Sequence, residues 1–205
     1  MYTPKDYQKT DAEQIEEFIK NYSFASLISI SNNNSFVTHL PFISEKKEGE
    51  LKLYTHLAKA NLHSKFLNEQ AVLIVFTGPQ AYISSTWYVN KPNVSTWNYT
   101  AVHVSGIARL IEDANEIANL LSKTVAYYEN GELSQHQQLP DEYKTAMAKE
   151  IVGVEIEIKS MEAKFKLSQN KPKEDISAVV NHLKQNPTNA ALVELMLKEN
   201  KDKLK

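Results

Sequence analysis

The run "IVGVEIEIKSMEAKFKLSQ" at 151–169 narrows the possible folds more than any other stretch of the chain. Val154, Ile156 and Ile158 alternate with Glu155, Glu157 and Lys159. A period of two sends successive side chains to opposite faces of a strand, so this segment predicts a strand with one apolar and one polar side. Such a strand needs partners, and the sequence offers them. "FASLISIS" (24–31), "SFVTHLPFI" (35–43) and "ELKLYTHL" (50–57) are strand-like runs separated by "NNN" and "EKKEG" turn signals. Turns this short imply antiparallel pairing. "AVLIVFTG" (71–78) reads as a buried strand ended by Gly78-Pro79. "YTAVHVSGIARLIED" (99–113) sets Val102, Val104 and Ala108 against His103, Ser105 and Arg109, with Gly106 marking a bulge. About six or seven strands at this spacing suit a small antiparallel barrel.

Helical periods flank the strands. Thr10 and Glu13 have capping-box spacing ahead of Ile15, Phe18, Ile19 and Tyr22, which share one helix face. "NLHSKFLN" (61–68) reads as a short amphipathic helix, and "ANEIANLLSKTVAYY" (114–128) with the segment after Pro140 reads as a helical crossover. "PKEDISAVVNHLKQ" and "PTNAALVELMLKEN" are a terminal helical pair split at Asn186-Pro187. The expected organisation is a body over 1–170 and a helical extension over 171–205, packed on the body or on a partner.

Composition excludes several function classes. With 205 residues, 42% of them hydrophobic, the chain can close one sizeable core. A net charge of -2, from 23 basic and 25 acidic residues, supplies no basic excess for phosphate neutralisation. The last helix, "ALVELML", is apolar where a recognition helix would present donors to base edges. Cysteine is absent, which removes disulfides and thiolate chemistry and suits a reducing compartment. The N-terminus lacks an apolar signal core and "AVLIVF" is too short to span a bilayer, so a soluble, cytoplasmic protein is expected.

Candidate chemistry is concentrated in three places. In "LYTHLAKAN" (53–61) a strand runs into a helix start beside Lys59 and Asn61, an arrangement able to hold a phosphate, although any strand-to-helix junction has free N–H groups. His39, His56, His63 and His103 fall in or beside strands, so a metal or haem site has to be weighed. No pair has helical ligand spacing, and no metal site is expected. Both tryptophans, Trp87 and Trp97, flank a polar segment containing Pro92, where each serves either as a plug for an open barrel end or as a platform for a flat ligand.

"THLPF", "HLAKAN", "VFTGPQAYIS", "TWY", "STWNYTAVHVSG" and "KFKLSQN", in that order and spacing, resemble the PaiB family of FMN-binding negative transcriptional regulators over about residues 1–185. The resemblance implies a mainly β fold with helices: an FMN-binding split barrel, similar to pyridoxamine 5'-phosphate oxidase and the flavin reductases, acting as a homodimer with its flavins at the subunit interface. It implies that Val37, Thr38, His39 and Leu40 border the isoalloxazine ring. Tyr54, Thr55 and His56, with Lys59, Ala60 and Asn61, would form the phosphate site, Ala60 standing where oxidase-like relatives carry a cation. Trp97 and Asn98 would lie near the flavin, and Lys166, Ser168 and Gln169 would reach its face. The function implied is repression of transcription, acting indirectly through flavin state or a partner protein. The alternatives are an FMN-dependent oxidoreductase of a nicotinamide or small organic substrate, and a haem-binding split barrel.

Overall fold

The period-two runs become a single sheet pathway in the computed structural model, which describes residues 1–47, 49–129 and 139–205. The strands are β1 (Gln8–Lys9), β2 (Phe24–Ser31), β3 (Asn34–Pro41), β4 (Ile43–Lys47), β5 (Glu50–Ala58), β6 (Gln70–Ile83), β7 (Thr96–Ile111) and β8 (Ile151–Lys166). The helices are α1 (Ala12–Asn21), α2 (Ala114–Tyr128), α3 (Asp141–Lys149), α4 (Lys173–Leu183), α5 (Ala190–Glu199) and α6 (Lys201–Leu204). Strand order is β3-β2-β6-β7-β8-β5-β4, with β1 pairing β8. The pairs β1–β8, β2–β3, β2–β6, β4–β5 and β5–β8 are antiparallel. The two-residue β1 is too short to show a period and the 35–43 run divides in two, which is why six or seven strands are read from the sequence where the structure has eight.

Four local expectations are corrected. Asp11, not Thr10, caps α1, its Oδ1 accepting from the N–H groups of Glu13 and Gln14 at 2.9 and 3.1 Å. The 35–43 run breaks at Phe42 into β3 and β4, where the Phe42 N–H donates to Ser23 O. The 61–68 segment forms a single 3-10 helix, Leu62–Phe66. Strand β6 continues through Gly78-Pro79, because β2 pairs with it only from Val72 to Val75. Beyond Val75 that edge carries no β2 partner, so a residue without an N–H is tolerated there.

The chain forms two compact units, one of Met1–Ile15, Thr77–Val102 and Glu162–Lys205, the other of Glu16–Phe76 and His103–Met161. In the second, β3 lies against β5, so the sheet curls without closing, and the Thr55 hydroxyl donates to Pro41 O at 2.7 Å. Leu27, Phe42, Leu53, Ile74, Phe76, Val154 and Ile156 fill its interior. In the first unit the terminal helices bury Ile176, Val179, Leu183, Leu192 and Met196, and the Asn200 amide donates to Leu167 O and Met196 O.

The tryptophan segment also lies in the first unit. Trp87 stacks on His182 of α4 (5.2 Å, 10°), and the buried Asp175 Oδ1 accepts from the N–H groups of Val89 and Asn90. Two side chains of one helix thus fix the segment.

Candidate functional site

In the second unit, β3 divides the resemblance-implied residues by face. Thr38 and Leu40 turn inward, whereas Val37 and His39 point outward, as alternation requires. Register places Val37 beside Ile28 and Leu73 and places His39 beside Ser26 and Val75. Phe24, Ile30 and Val37 are each more than half exposed. His39 accepts or donates at Nδ1 to Ser26 Oγ (3.0 Å) and its ring lies over Phe24 (6.4 Å, 26°). The outcome is a flat, open, mostly apolar strip with one imidazole on it.

The inward side is organised by His63, which the sequence brings into view only as one of several histidines. It is buried, with Nε2 bonded to Ser29 Oγ and Nδ1 to Thr38 Oγ1, both at 2.9 Å, and its ring stacked on Phe36. Burial holds its imidazole below the ordinary value of 6.5. Asn61 caps the 3-10 helix by accepting from the His63 N–H at 3.0 Å, and its amide reaches Thr38 Oγ1 at 3.4 Å. Thr38 and Asn61 are therefore brought together, through a residue two positions beyond the expected phosphate turn. Only the local half of this, the N-cap spacing of Asn61 and His63, is visible in the sequence.

Tyr54, Thr55 and His56 follow on β5. The Tyr54 hydroxyl donates to Glu155 Oε2 at 3.0 Å, directly across the β5–β8 pair, and Lys52 Nζ donates to Oε1 at 2.6 Å. Burial raises Glu155, but the bonds from Lys52 and Tyr54 outweigh it and leave the carboxyl below its usual range. Burial, then Glu155, pushes the Tyr54 hydroxyl well up, so it stays a neutral donor. His56 is held below its ordinary value by burial, and its buried Nδ1 has no partner among the described residues. The exposed Lys59 ammonium donates to Lys149 O at 2.7 Å, which leaves two of its three N–H donors for other acceptors.

The other expected residues lie in the first unit. There, Thr96, Asn98, Lys166 and Ser168 line a pocket of about 200 Å³ together with Tyr7, Tyr88, Val94, Asn170 and Lys171. Asn98 Nδ2 donates to Ser168 Oγ at 2.9 Å, joining β7 to the turn after β8, where Ser168 adopts a positive φ of 66°. Lys166 Nζ is bonded to Thr96 Oγ1. Trp97 and Gln169 are elsewhere. Trp97 points to the opposite face of β7, edge-on to Tyr82 at 6.1 Å, and the Gln169 amide closes its own turn against Leu167 N–H and Phe165 O. Among the described residues no group of three His, Cys, Asp or Glu side chains is placed to hold a metal, and no helix is long and apolar enough to cross a membrane.

Residues 1–160 match the family described as "Putative FMN-binding domain". Over 211 aligned positions the chain is 35% identical to the protease synthase and sporulation protein PAI 2 of Bacillus subtilis, with 100% of this chain and 99% of that protein covered. An uncharacterized protein of Aspergillus fumigatus is 24% identical, covering 88% of this chain and 89% of its own length. Among solved structures, the FAD and heme binding protein from Mycobacterium smegmatis superposes with a TM-score of 0.62 at 14% identity, covering 84% of this chain and 80% of that one. The flavocytochrome Anf3 from Azotobacter vinelandii gives 0.57 at 18% identity, with coverage of 78% and 69%. At such identities these two show the shared split-barrel fold alone. Sheet order, matched residues and full-length identity agree, and the chain belongs to the PaiB family of FMN-binding split-barrel proteins.

Proposed function

We propose that this chain is a homodimeric FMN-binding protein that regulates transcription indirectly, through the state of its flavin or through a partner protein. The observation that carries the reading is the open strip on β2, β3 and β6. Phe24, Ile30 and Val37, each more than half exposed, stand there on one sheet face with the half-buried Ile28, Leu73 and Val75. A contiguous apolar face of this kind on a soluble domain marks an interaction surface. A planar isoalloxazine needs an apolar wall with a few polar groups at its rim, and this strip offers Val37 with His39 and Ser26 beside it.

The residues implied for the phosphate also fit. Lys59 has donors to spare, Asn61 shapes the turn, and the Ala60 N–H bonds to nothing among the described residues. Thr38, Leu40 and Thr55 turn to the inward side of their strands and are held there through His63, through core packing and through Pro41 O respectively, whereas Tyr54 packs against Ile43 and Leu120 and bonds Glu155 across the β5–β8 pair. FMN, when bound, supplies electron-transfer chemistry, and this chain supplies orientation and exclusion of water.

Indirect regulation follows from charge. With a net charge of -2 and an apolar α5, the chain has no overall basic excess with which to neutralise DNA phosphates, which favours an indirect route. Sporulation and protease synthesis, named for the Bacillus subtilis relative, are the processes in which a regulatory role would be sought.

Mixing the purified chain with FMN and removing free ligand is expected to leave a yellow protein with flavin absorption bands; a colourless protein contradicts the cofactor assignment. A Val37→Glu substitution puts a charge in the centre of the strip. Sedimentation equilibrium is expected to show a dimer for the natural chain and a monomer for the variant at equal concentration, and a dimer unaffected by the charge would remove this face from the interface.

A further inference from the structure

The first-unit pocket is distinct in chemistry from the apolar strip. Two ammonium groups, Lys166 and Lys171, line it, and no Asp or Glu does. Lys166 is bonded to a neutral hydroxyl, Thr96 Oγ1, and Lys171 to a neutral amide, Asn93 Oδ1, while lying 4.9 Å over the Tyr88 ring. Neither cation has a carboxylate partner among the described residues. Burial and the neighbouring charges of Lys164 and Lys171 hold Lys166 below the ordinary lysine value, so an incoming negative charge would relieve an existing repulsion.

Neutral donors complete the lining. Tyr88 is 3% exposed, yet its hydroxyl makes no hydrogen bond among the described residues. Burial keeps that phenol protonated, as it does for Tyr7. Asn98 is 1% exposed and tied to Ser168, which presents a second hydroxyl to the same space. The Tyr88 hydroxyl is not a buried orphan, as Ser44 Oγ and His56 Nδ1 are among the described residues; its unused donor reaches accessible space and is open to a ligand. The volume, about 200 Å³, falls below the ~300–1,000 Å³ typical of sites that enclose a whole cofactor or drug-sized molecule.

We propose that this pocket binds the oxyanion of a small acid other than the flavin, a phosphate or carboxylate held between Lys166 and Lys171 with the Tyr88 hydroxyl as a third donor. It goes beyond the FMN reading and does not depend on it. Charge-assisted bonds of this kind are about twice as strong as neutral ones, and two cations on one anion give both affinity and selection against uncharged molecules.

The test is calorimetric titration of the full chain, FMN-loaded and FMN-free, with inorganic phosphate. Saturable binding is expected in both forms, weakened at least about tenfold by Lys171→Gln and by Lys166→Gln. FMN affinity, read from flavin fluorescence, is expected to be unchanged in Lys171→Gln. Absence of phosphate binding to the natural chain, or binding by both variants as tight as that of the natural chain, overturns the proposal. A Lys171→Gln chain that loses FMN affinity but keeps riboflavin affinity also overturns it, because the pocket would then hold the flavin's own phosphate. Failure of the natural chain to bind FMN would sink the cofactor reading alone, since the flavin-free titration still decides this one.

Discussion

A Gly106→Ala chain is expected to lose about 3 kcal/mol or more of stability, and Gly106→Val to be largely unfolded. Gly106 lies within β7, and a Cβ there would come 2.5 Å from Glu157 O and 2.8 Å from Ile156 Cγ2 of the neighbouring β8. The first of these atoms is backbone, so no rotamer change relieves the contact, and the sheet must separate at its centre. A domain of this size has only about 5–15 kcal/mol in hand. Urea midpoints followed by circular dichroism measure the loss. An alanine variant with the natural midpoint would mean that β7 and β8 do not approach as described. In the sequence this glycine reads as a bulge; the structural reason for it is close backbone approach.

The second large effect is expected at His63. His63→Phe keeps the ring against Phe36 but removes both nitrogens, leaving the buried Ser29 hydroxyl and the Thr38 hydroxyl without that partner, at a cost of about 2–4 kcal/mol. The same residue makes stability depend on pH. Because burial depresses its folded-state value below 6.5, the unfolded chain binds more protons as pH falls. The contribution is therefore complete above pH 6.5, the model-peptide value, and is lost as pH drops through the lower folded-state value. His56, shifted the same way, adds to this loss. The urea midpoint should fall between pH 7.5 and pH 5, and more steeply in the natural chain than in His63→Phe. Parallel profiles for the two would assign the titration to other groups.

The strands were readable because their signal is local. β2 occupies Phe24–Ser31, the span that its turn residues bracket, and β8 follows the Val154–Glu155–Ile156 alternation. Where a neighbour decides the outcome, the local signal misleads: β6 passes through Pro79 because β2 has already ended, a fact about another segment. The same distinction governs the sites. Asn98, Lys166 and Ser168 could be named from "STWNY" and "KFKLSQN", yet their meeting depends on a bond between residues 70 apart in sequence. Tyr7 and Lys171, which complete that pocket together with Tyr88 of "TWY", carry no motif of their own. Asp175 looks like an ordinary acidic residue at a helix start until the backbone of Val89 and Asn90 is seen to converge on it. Burial of His63 is equally invisible in "NLHSKF", since its partners Ser29 and Thr38 come from two other strands.

On the proposed function, the β2–β3–β6 strip and the Lys59–Asn61 turn form a flavin mononucleotide site. Equilibrium titration of FMN into the purified chain, followed by quenching of flavin fluorescence and repeated with Val37→Glu, tests it most directly. Saturable quenching with one FMN per chain, weakened at least about tenfold in the variant, is the expected result. Fluorescence that stays at the free-flavin level throughout, or full affinity with Glu at position 37, would contradict it.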